Sequence, residues 1–458
     1  MTKLFLPIIL GFCCLNQSKA QLNPAITGFL QNTTQLGTYY VAGNSTAISN
    51  GILVNCQQID YSTDYVYVTT EGVPAYPTGP FLDRNPSQAT ARGAIFQIPL
   101  NPTQNTGTLS STTGGNIGIF INGVSLFDFR DGVGWNSNTN SLCGGPGNTP
   151  CPGGPLAGTD WSRDAVPNEL PGFDCSKGHP ADGNYHHHQN PSAFKLDQNI
   201  TSSICNLYDA DGLYAMDSMA HAPLIGYAYD GFPIYGAYGY KNSDGTGGIT
   251  RIRSGYELRN ITVRTHHADG TDVDDGPAVD ATYYLGYFRE DYEWISNTGE
   301  EYLDEHNGRF CVTPEYPNGT YAYFATVNSD WTSAYPYVVG PTFYGVYANR
   351  SVTSITETVT TYTPTNTSLI QTASLDDLNI NVFPSPASNI IAIQVGGLVK
   401  EDLQVELLDM TGRQVKQSQI NKGQTLAYFD VKTLYNGTYI VKISNGISVT
   451  TKKVLVNR

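Results

Sequence analysis

The chain has 458 residues, with 40 acidic against 25 basic side chains and a formal net charge of −15. That length accommodates two domains, and the lack of any dense Lys/Arg stripe excludes the electrostatic footprint of nucleic-acid binding. Only 14% of residues are charged, while Gly and Tyr number 47 and 31, a balance that suits turn-rich β structure with tyrosines packed on strands.

Residues 1–20, MTKLFLPIILGFCCLNQSKA, read as a secretory signal peptide. Lys3 supplies the positive start, Leu4 to Leu15 form an apolar stretch too short to span a bilayer well, and Ser18 and Ala20 fit a small-residue cleavage pattern. The mature chain is expected to begin at Gln21, and no later segment is apolar enough to cross a membrane. Six cysteines follow: Cys56, Cys143, Cys151, Cys175, Cys205 and Cys311. An even set in an exported protein is expected to form up to three disulfides. Cys143 and Cys151, flanking the loop CGGPGNTPC, are the favoured pair.

Residues 21–350 carry strand-like runs such as DYVYVTT, GAIFQIPL, IGIFINGVSLFDF and GTYAYFATV. They predict one large, irregular β-rich domain with long loops. Helical periodicity is weak, and the best helix candidate, SSICNLYDADGLYAM, is interrupted by Asp-Gly. The Asn/Gly/Pro stretch 131–158 is too long for a hairpin turn and reads as a functional or disulfide-pinned loop.

All eight histidines fall between His179 and His306, and three are consecutive in GNYHHHQNP, residues 183–191. On a strand, side chains alternate, so His186 and His188 share one face while Tyr185 and His187 share the other. A third ligand is expected from His221, in MAHAPLIGYAYDGFPIYG, and a fourth from His179, held near the strand by a Gly/Pro turn. Three or four imidazoles suit copper or zinc. Asp230, Asp304 and Glu315 are the candidates for orienting a histidine or acting as a general base. The acidic loop HHADGTDVDDGP, 266–277, is a candidate for structural calcium, although it lacks the EF-hand register. No Gly-x-Ser-x-Gly, phosphate-cradling loop or His-Glu-x-x-His is present, which removes support for serine hydrolase, nucleotide and zincin readings.

Residues 351–373, rich in Thr and Ser, read as an extended linker. Beyond it, 374–458 alternate short apolar runs with turn signals, the pattern of a small Ig-like β-sandwich of about seven strands. The run 382–388 (VFPSPAS), the turn 409–413 (DMTGR), the stretch 434–439 (LYNGTY) and the closing Lys452-Lys453 resemble the type A C-terminal sorting domain of the type IX secretion system of Bacteroidetes. Ser385 stands where the usual motif has Asn. The resemblance implies an address tag, often cleaved, handled by that secretion machinery.

Three ordered stretches, DCSKGHPADGNYHHHQNP, HAPLIGYAYDGFPIYGAYGY and NGRFCVTPEYPNGTYAYF, resemble the YHYH-domain family of exported proteins, over about 160–345. His187 replaces the second Tyr of the signature, while His186 and His188 keep its two histidines. A degenerate echo appears in GTYAYF, 319–324, with Ala322 and Phe324 in the histidine places. The family implies a shared site but no reaction. These readings together predict a mostly β, secreted or cell-surface protein that binds copper or zinc, with a metalloenzyme acting on extracellular substrates as the sharper expectation. The alternative is a non-catalytic carbohydrate-binding or adhesion module whose tyrosines stack on sugar.

Overall fold

Two stretches of similar pattern, 117–127 and 225–235, form the two hairpins at the middle of the largest sheet. A computed structural model describes residues 22–82, 88–152, 159–194, 202–206, 212–364, 380–395, 399, 402–422, 424–445 and 449–457. The chain divides into two units, Met1–Thr363 and Pro364–Arg458.

Eight strands of the first unit build that sheet: β1 (Asn116–Phe120), β2 (Ser125–Phe127), β3 (Gly178–Ala181), β4 (Asn184–His187), β5 (Leu224–Ala228), β6 (Pro233–Tyr235), β7 (Gly308–Cys311) and β8 (Thr320–Phe324). Their order, β3-β4-β2-β1-β5-β6-β8-β7, is symmetric about its centre. The β1–β5 register pairs Phe120 with Gly226, Ile119 with Tyr227 and Gly118 with Ala228. That pattern maps onto itself about the Ile119–Tyr227 pair, which marks a two-fold axis. The remaining registers agree residue for residue. His187 lies opposite Leu126 where Tyr323 lies opposite Ile234, and the four β3–β4 pairs, from Gly178–His187 to Ala181–Asn184, match the four β7–β8 pairs, from Gly308–Tyr323 to Cys311–Thr320. The sheet is thus an internal duplication, and GTYAYF is the visible remnant of a whole repeated half.

Local chemistry repeats with the topology. The hairpin glycines Gly123 and Gly231 take φ of 78° and 95°, a left-handed turn conformation that favours Gly. Before β3, Asp174 Oδ1 accepts the N–H groups of Ser176 and Gly178, and Tyr185 donates its hydroxyl to Oδ2 at 2.8 Å. Before β7, Asp304 Oδ1 accepts those of His306 and Gly308, and the Tyr321 hydroxyl donates to it at 2.9 Å. Ile119, Phe120, Ile225, Tyr227 and Ile234 of these strands are fully buried and belong to one core with Ile59, Val66, Val68 and Phe96 of a second, five-stranded sheet.

That second sheet revises the linker reading. Ser351–Val352 and Thr360–Thr361 are its two edge strands, pairing with Ala94–Pro99 and Cys56–Tyr61. Thr361 donates to Asp60 at 2.6 Å and Tyr67 to Glu357 at 2.5 Å. A β-branched run with almost no charge can complete a sheet edge as readily as it can span a gap. The rest of the expected linker, 365–373, lies outside the described residues, as do 1–20 and the expected signal peptide.

Two disulfides form, Cys143–Cys151 as expected and Cys175–Cys205. A third does not: Cys56 and Cys311 are buried free thiols, each packed among core side chains rather than beside another sulfur. The 131–158 stretch is pinned by Cys143–Cys151 but also contains strand, Arg130–Asn136 and Ser141–Cys143, with 153–158 outside the described residues. The expected helix near 203 is a 3-10 turn, Ser203–Asn206, while a helix not expected from the sequence forms at Ala165–Glu169. In the second unit, three strands (Ile380–Phe383, Ile390–Val395, Leu426–Asp430) and four (Leu403–Leu408, Gln414–Ile420, Gly437–Ser444, Val449–Val456) enclose one core, giving the seven-stranded sandwich.

A Cβ on Gly178 would collide with the ring and hydroxyl of Tyr185, and one on Gly308 with those of Tyr321. Gly178→Ala and Gly308→Ala are each expected to lower stability by about 1–3 kcal/mol, the usual cost of overpacking. Denaturant unfolding of the two variants checks this, and near-equal losses are the expected mark of repeated packing.

Candidate metal centre

The β3–β4 hairpin sets His179 directly across from His186, and His188 follows two residues later on the same face. His187 points the other way, donating from Nδ1 to the Lys177 carbonyl at 3.1 Å and accepting the Tyr76 hydroxyl at Nε2 at 2.8 Å. Phe127 stacks on His186 at 3.8 Å, and Phe173 meets His179 edge-on at 4.8 Å. His179, His186 and His188 are 6%, 1% and 3% exposed.

Two backbone carbonyls fix the tautomers. His186 Nδ1–H donates to the Asn184 carbonyl at 2.8 Å and His188 Nδ1–H to the Asp128 carbonyl at 2.5 Å. A carbonyl can only accept, so each neutral ring keeps its lone pair on Nε2. Those two Nε2 atoms face each other at 3.0 Å. Lone pairs so placed repel unless a cation lies between them.

The fourth member is Glu169. Asp164 caps the short helix by accepting the Val166 N–H at 3.0 Å, and Glu169 closes it. Its Oε2 lies 3.3 Å from His179 Nε2 and 3.4 Å from His188 Nε2. Beyond these two imidazoles the buried oxygen has no hydrogen-bond partner. The His179, His186 and His188 donor atoms all lie within 4.8 Å of one another. Donors about 2.1 Å from one ion sit roughly 3.0–3.4 Å apart in octahedral or tetrahedral arrangements, a spacing met by the His186–His188, His179–Glu169 and His188–Glu169 pairs at 3.0, 3.3 and 3.4 Å.

Burial holds His186 well below the ordinary imidazole range, aided by His179 and His188, and holds His188 below it as well. Burial pushes Glu169 up, but contact with His179 and the positive potential of His188, His179 and Arg163 outweigh it, so the carboxyl stays low. Nearby, burial pushes Asp131 up to about 6 despite its ion pair with Arg163. The site therefore offers the bare Nε2 atoms of His186 and His188, with His179 and one carboxylate beside them.

His221 belongs elsewhere and gives way to Glu169 as the candidate fourth ligand. Its Nδ1–H donates to the Ala222 carbonyl at 2.7 Å, and its ring packs against Tyr235 and Tyr240. Asp230 accepts the Tyr323 hydroxyl at 2.6 Å and the Gly345 N–H at 2.8 Å, so it orients a tyrosine rather than a histidine. Asp304 caps the turn before β7, and Glu315 accepts the Tyr235 hydroxyl at 2.9 Å. In the 266–277 loop, Asp272 pairs with His266 and Asp269 accepts the Thr271 N–H. Glu169 escaped the sequence reading because it stands ten residues before His179, inside no motif. Only the helix following Asp164 brings it in.

In the second half, Arg309, Ala322 and Phe324 hold the places of His179, His186 and His188. Arg309, 8% exposed, donates to the carbonyls of Lys241, Glu300 and Tyr240. Its guanidinium lies 5.5 Å from the centre of the Phe324 ring.

Residues 381–457 match the secretion system C-terminal sorting domain. That domain marks a secreted or cell-surface protein handled by the type IX secretion machinery. No helix among the described residues is long and apolar enough to cross a membrane. No curated protein matches the chain. Among solved structures, a DUF3244 family protein with an immunoglobulin-like β-sandwich fold from Bacteroides vulgatus is similar at 16% identity, covering 18% of this chain and 87% of its own, with a TM-score of 0.16. Residues 95–337, just over half of the chain, match the family described as YHYH protein, and the chain belongs to that family.

Proposed function

We propose that this exported protein binds one divalent transition-metal ion, zinc or copper, through His179, His186, His188 and Glu169. The ion fastens the β3–β4 hairpin to the helix that carries Glu169. The observation that carries this reading is the pair of Nε2 lone pairs 3.0 Å apart, with both Nδ1 protons already committed to carbonyls. A proton could separate them, but burial opposes charging either ring. Three imidazoles and a carboxylate suit zinc or copper.

The second half supports the same conclusion. There a buried cation, the Arg309 guanidinium, stands among the counterparts of the ligands. Zinc or copper would bring Lewis acidity to the first half. Four protein donors, however, fill a tetrahedral shell, the arrangement of ions that hold structure. The residues around the ion then act mainly to position it: the two carbonyls hold the rings, and Phe127 and Phe173 exclude water.

Metal analysis by mass spectrometry on the purified chain is expected to find about one zinc or copper per molecule. His186→Ala/His188→Ala should lose it, while His221→Ala should retain it in full. Wild type without metal would sink the reading. Restoring the ion at 100 times its dissociation constant should raise unfolding free energy by about 2.7 kcal/mol, and Glu169→Gln should reduce that gain.

Acid has a defined sign. With His186 and His188 held low, the unfolded chain takes up protons first as pH falls. Stability from these groups is present above about pH 6.5 and is lost as pH drops through their lowered values. Thermal midpoints measured from pH 8 to 5 should fall across that window, and less so in His186→Ala/His188→Ala.

A further inference from the structure

The second half of the sheet carries a cavity of about 400 Å³ that has no counterpart use in the metal centre. Its walls present the rings of Phe232, Phe310, Tyr316, Tyr321 and Tyr344 together with the amides of Asn101 and Gln104. No charged side chain lines it among the described residues, on a chain whose net charge is −15.

The duplication shows how the pocket arises. In the first half, β3 and β4 are joined by residues 182–183 alone, whereas β7 and β8 are joined by 312–319. The longer turn brings Tyr316 and Gly319 to the wall. At the place of the buried Pro180 stands Phe310, 63% exposed. Its ring lies over Gly319, where an added Cβ would come within 2.7 Å of Phe310 Cε1. Tyr321 and Tyr344 stack at 3.6 Å with 4° between their planes, and the Tyr321 hydroxyl is tied to Asp304. The aromatic wall is therefore set by packing before any ligand arrives, which reduces the ordering cost of binding.

From this arrangement we infer that the pocket binds a neutral saccharide. A pyranose offers C–H faces that pack on aromatic rings and hydroxyls that pair with amides and tyrosine hydroxyls. A charged ligand would be desolvated with no partner of opposite sign in the wall. An anionic polymer would in addition meet the field of an acidic protein. The site is separate from the four metal donors, so this inference stands or falls independently of the metal reading.

Isothermal titration of the full chain tests it, using soluble hexasaccharides of glucose, mannose and xylose, a polygalacturonate oligomer and a proline decapeptide. Binding of at least one neutral hexasaccharide is expected, with no binding of polygalacturonate. Phe310→Ala should weaken that binding about tenfold, the size of an interface anchor, and Gln104→Glu should weaken it as well. Metal content and thermal midpoint of Phe310→Ala should match wild type, because that ring is exposed. The inference is overturned by failure of all three neutral hexasaccharides, by preferential binding of polygalacturonate or the proline peptide, or by unchanged affinity in Phe310→Ala.

Discussion

The carbonyl groups of Asn184 and Asp128 control the histidine cluster, because each takes the Nδ1 proton of one ring and leaves Nε2 bare. Everything else at the site follows from where those carbonyls stand. The first belongs to β4 itself and the second to the chain just beyond β2, so the sheet's own pairing aims both rings. Asp128 is in turn anchored by Arg130, which bonds its carboxylate at 2.9 Å. The donor atoms are thus oriented by backbone and by a buried ion pair rather than by one another, which is the supporting shell a metal ligand needs.

Much of this was legible in the chain. The strand alternation that places His186 and His188 together and His187 apart needs only a period of two, and a Gly-rich turn is enough to return His179 to the same face. The seven-stranded sandwich was visible for the same reason, in short alternating runs separated by turns. What the chain concealed was contact across distance. Glu169 reaches the cluster only through a five-residue helix whose periodicity is too short to register. His221 is a neighbour of the cluster in sequence only: it precedes β5, on the far side of the two-fold axis, and its ring packs on Tyr235 and Tyr240. The duplication was hidden because the halves agree in register and turn chemistry while their side chains have diverged.

That divergence explains why one half holds imidazoles and the other an arginine. Both hairpins must be fixed at the outer end of the sheet, and both keep the Asp–Tyr–Gly knot at their entrance. One half completes the arrangement with three imidazoles and a carboxylate. The other uses a guanidinium bonded to three carbonyls, freeing its longer turn to shape an uncharged aromatic pocket. Division of labour between copies relieves each from serving both purposes at once.

The axis through Ile119 and Tyr227 carries a consequence for ancestry. A chain containing only one half would present β1 as an open edge, with its N–H and C=O groups unpaired. The self-matching register of β1 with β5 is what two identical chains would form across a shared axis, an isologous contact in which each supplies the same surface. The present sheet therefore has the organisation of a homodimer within one polypeptide. Once joined, two halves need not remain identical, so one can present imidazoles where the other presents an arginine.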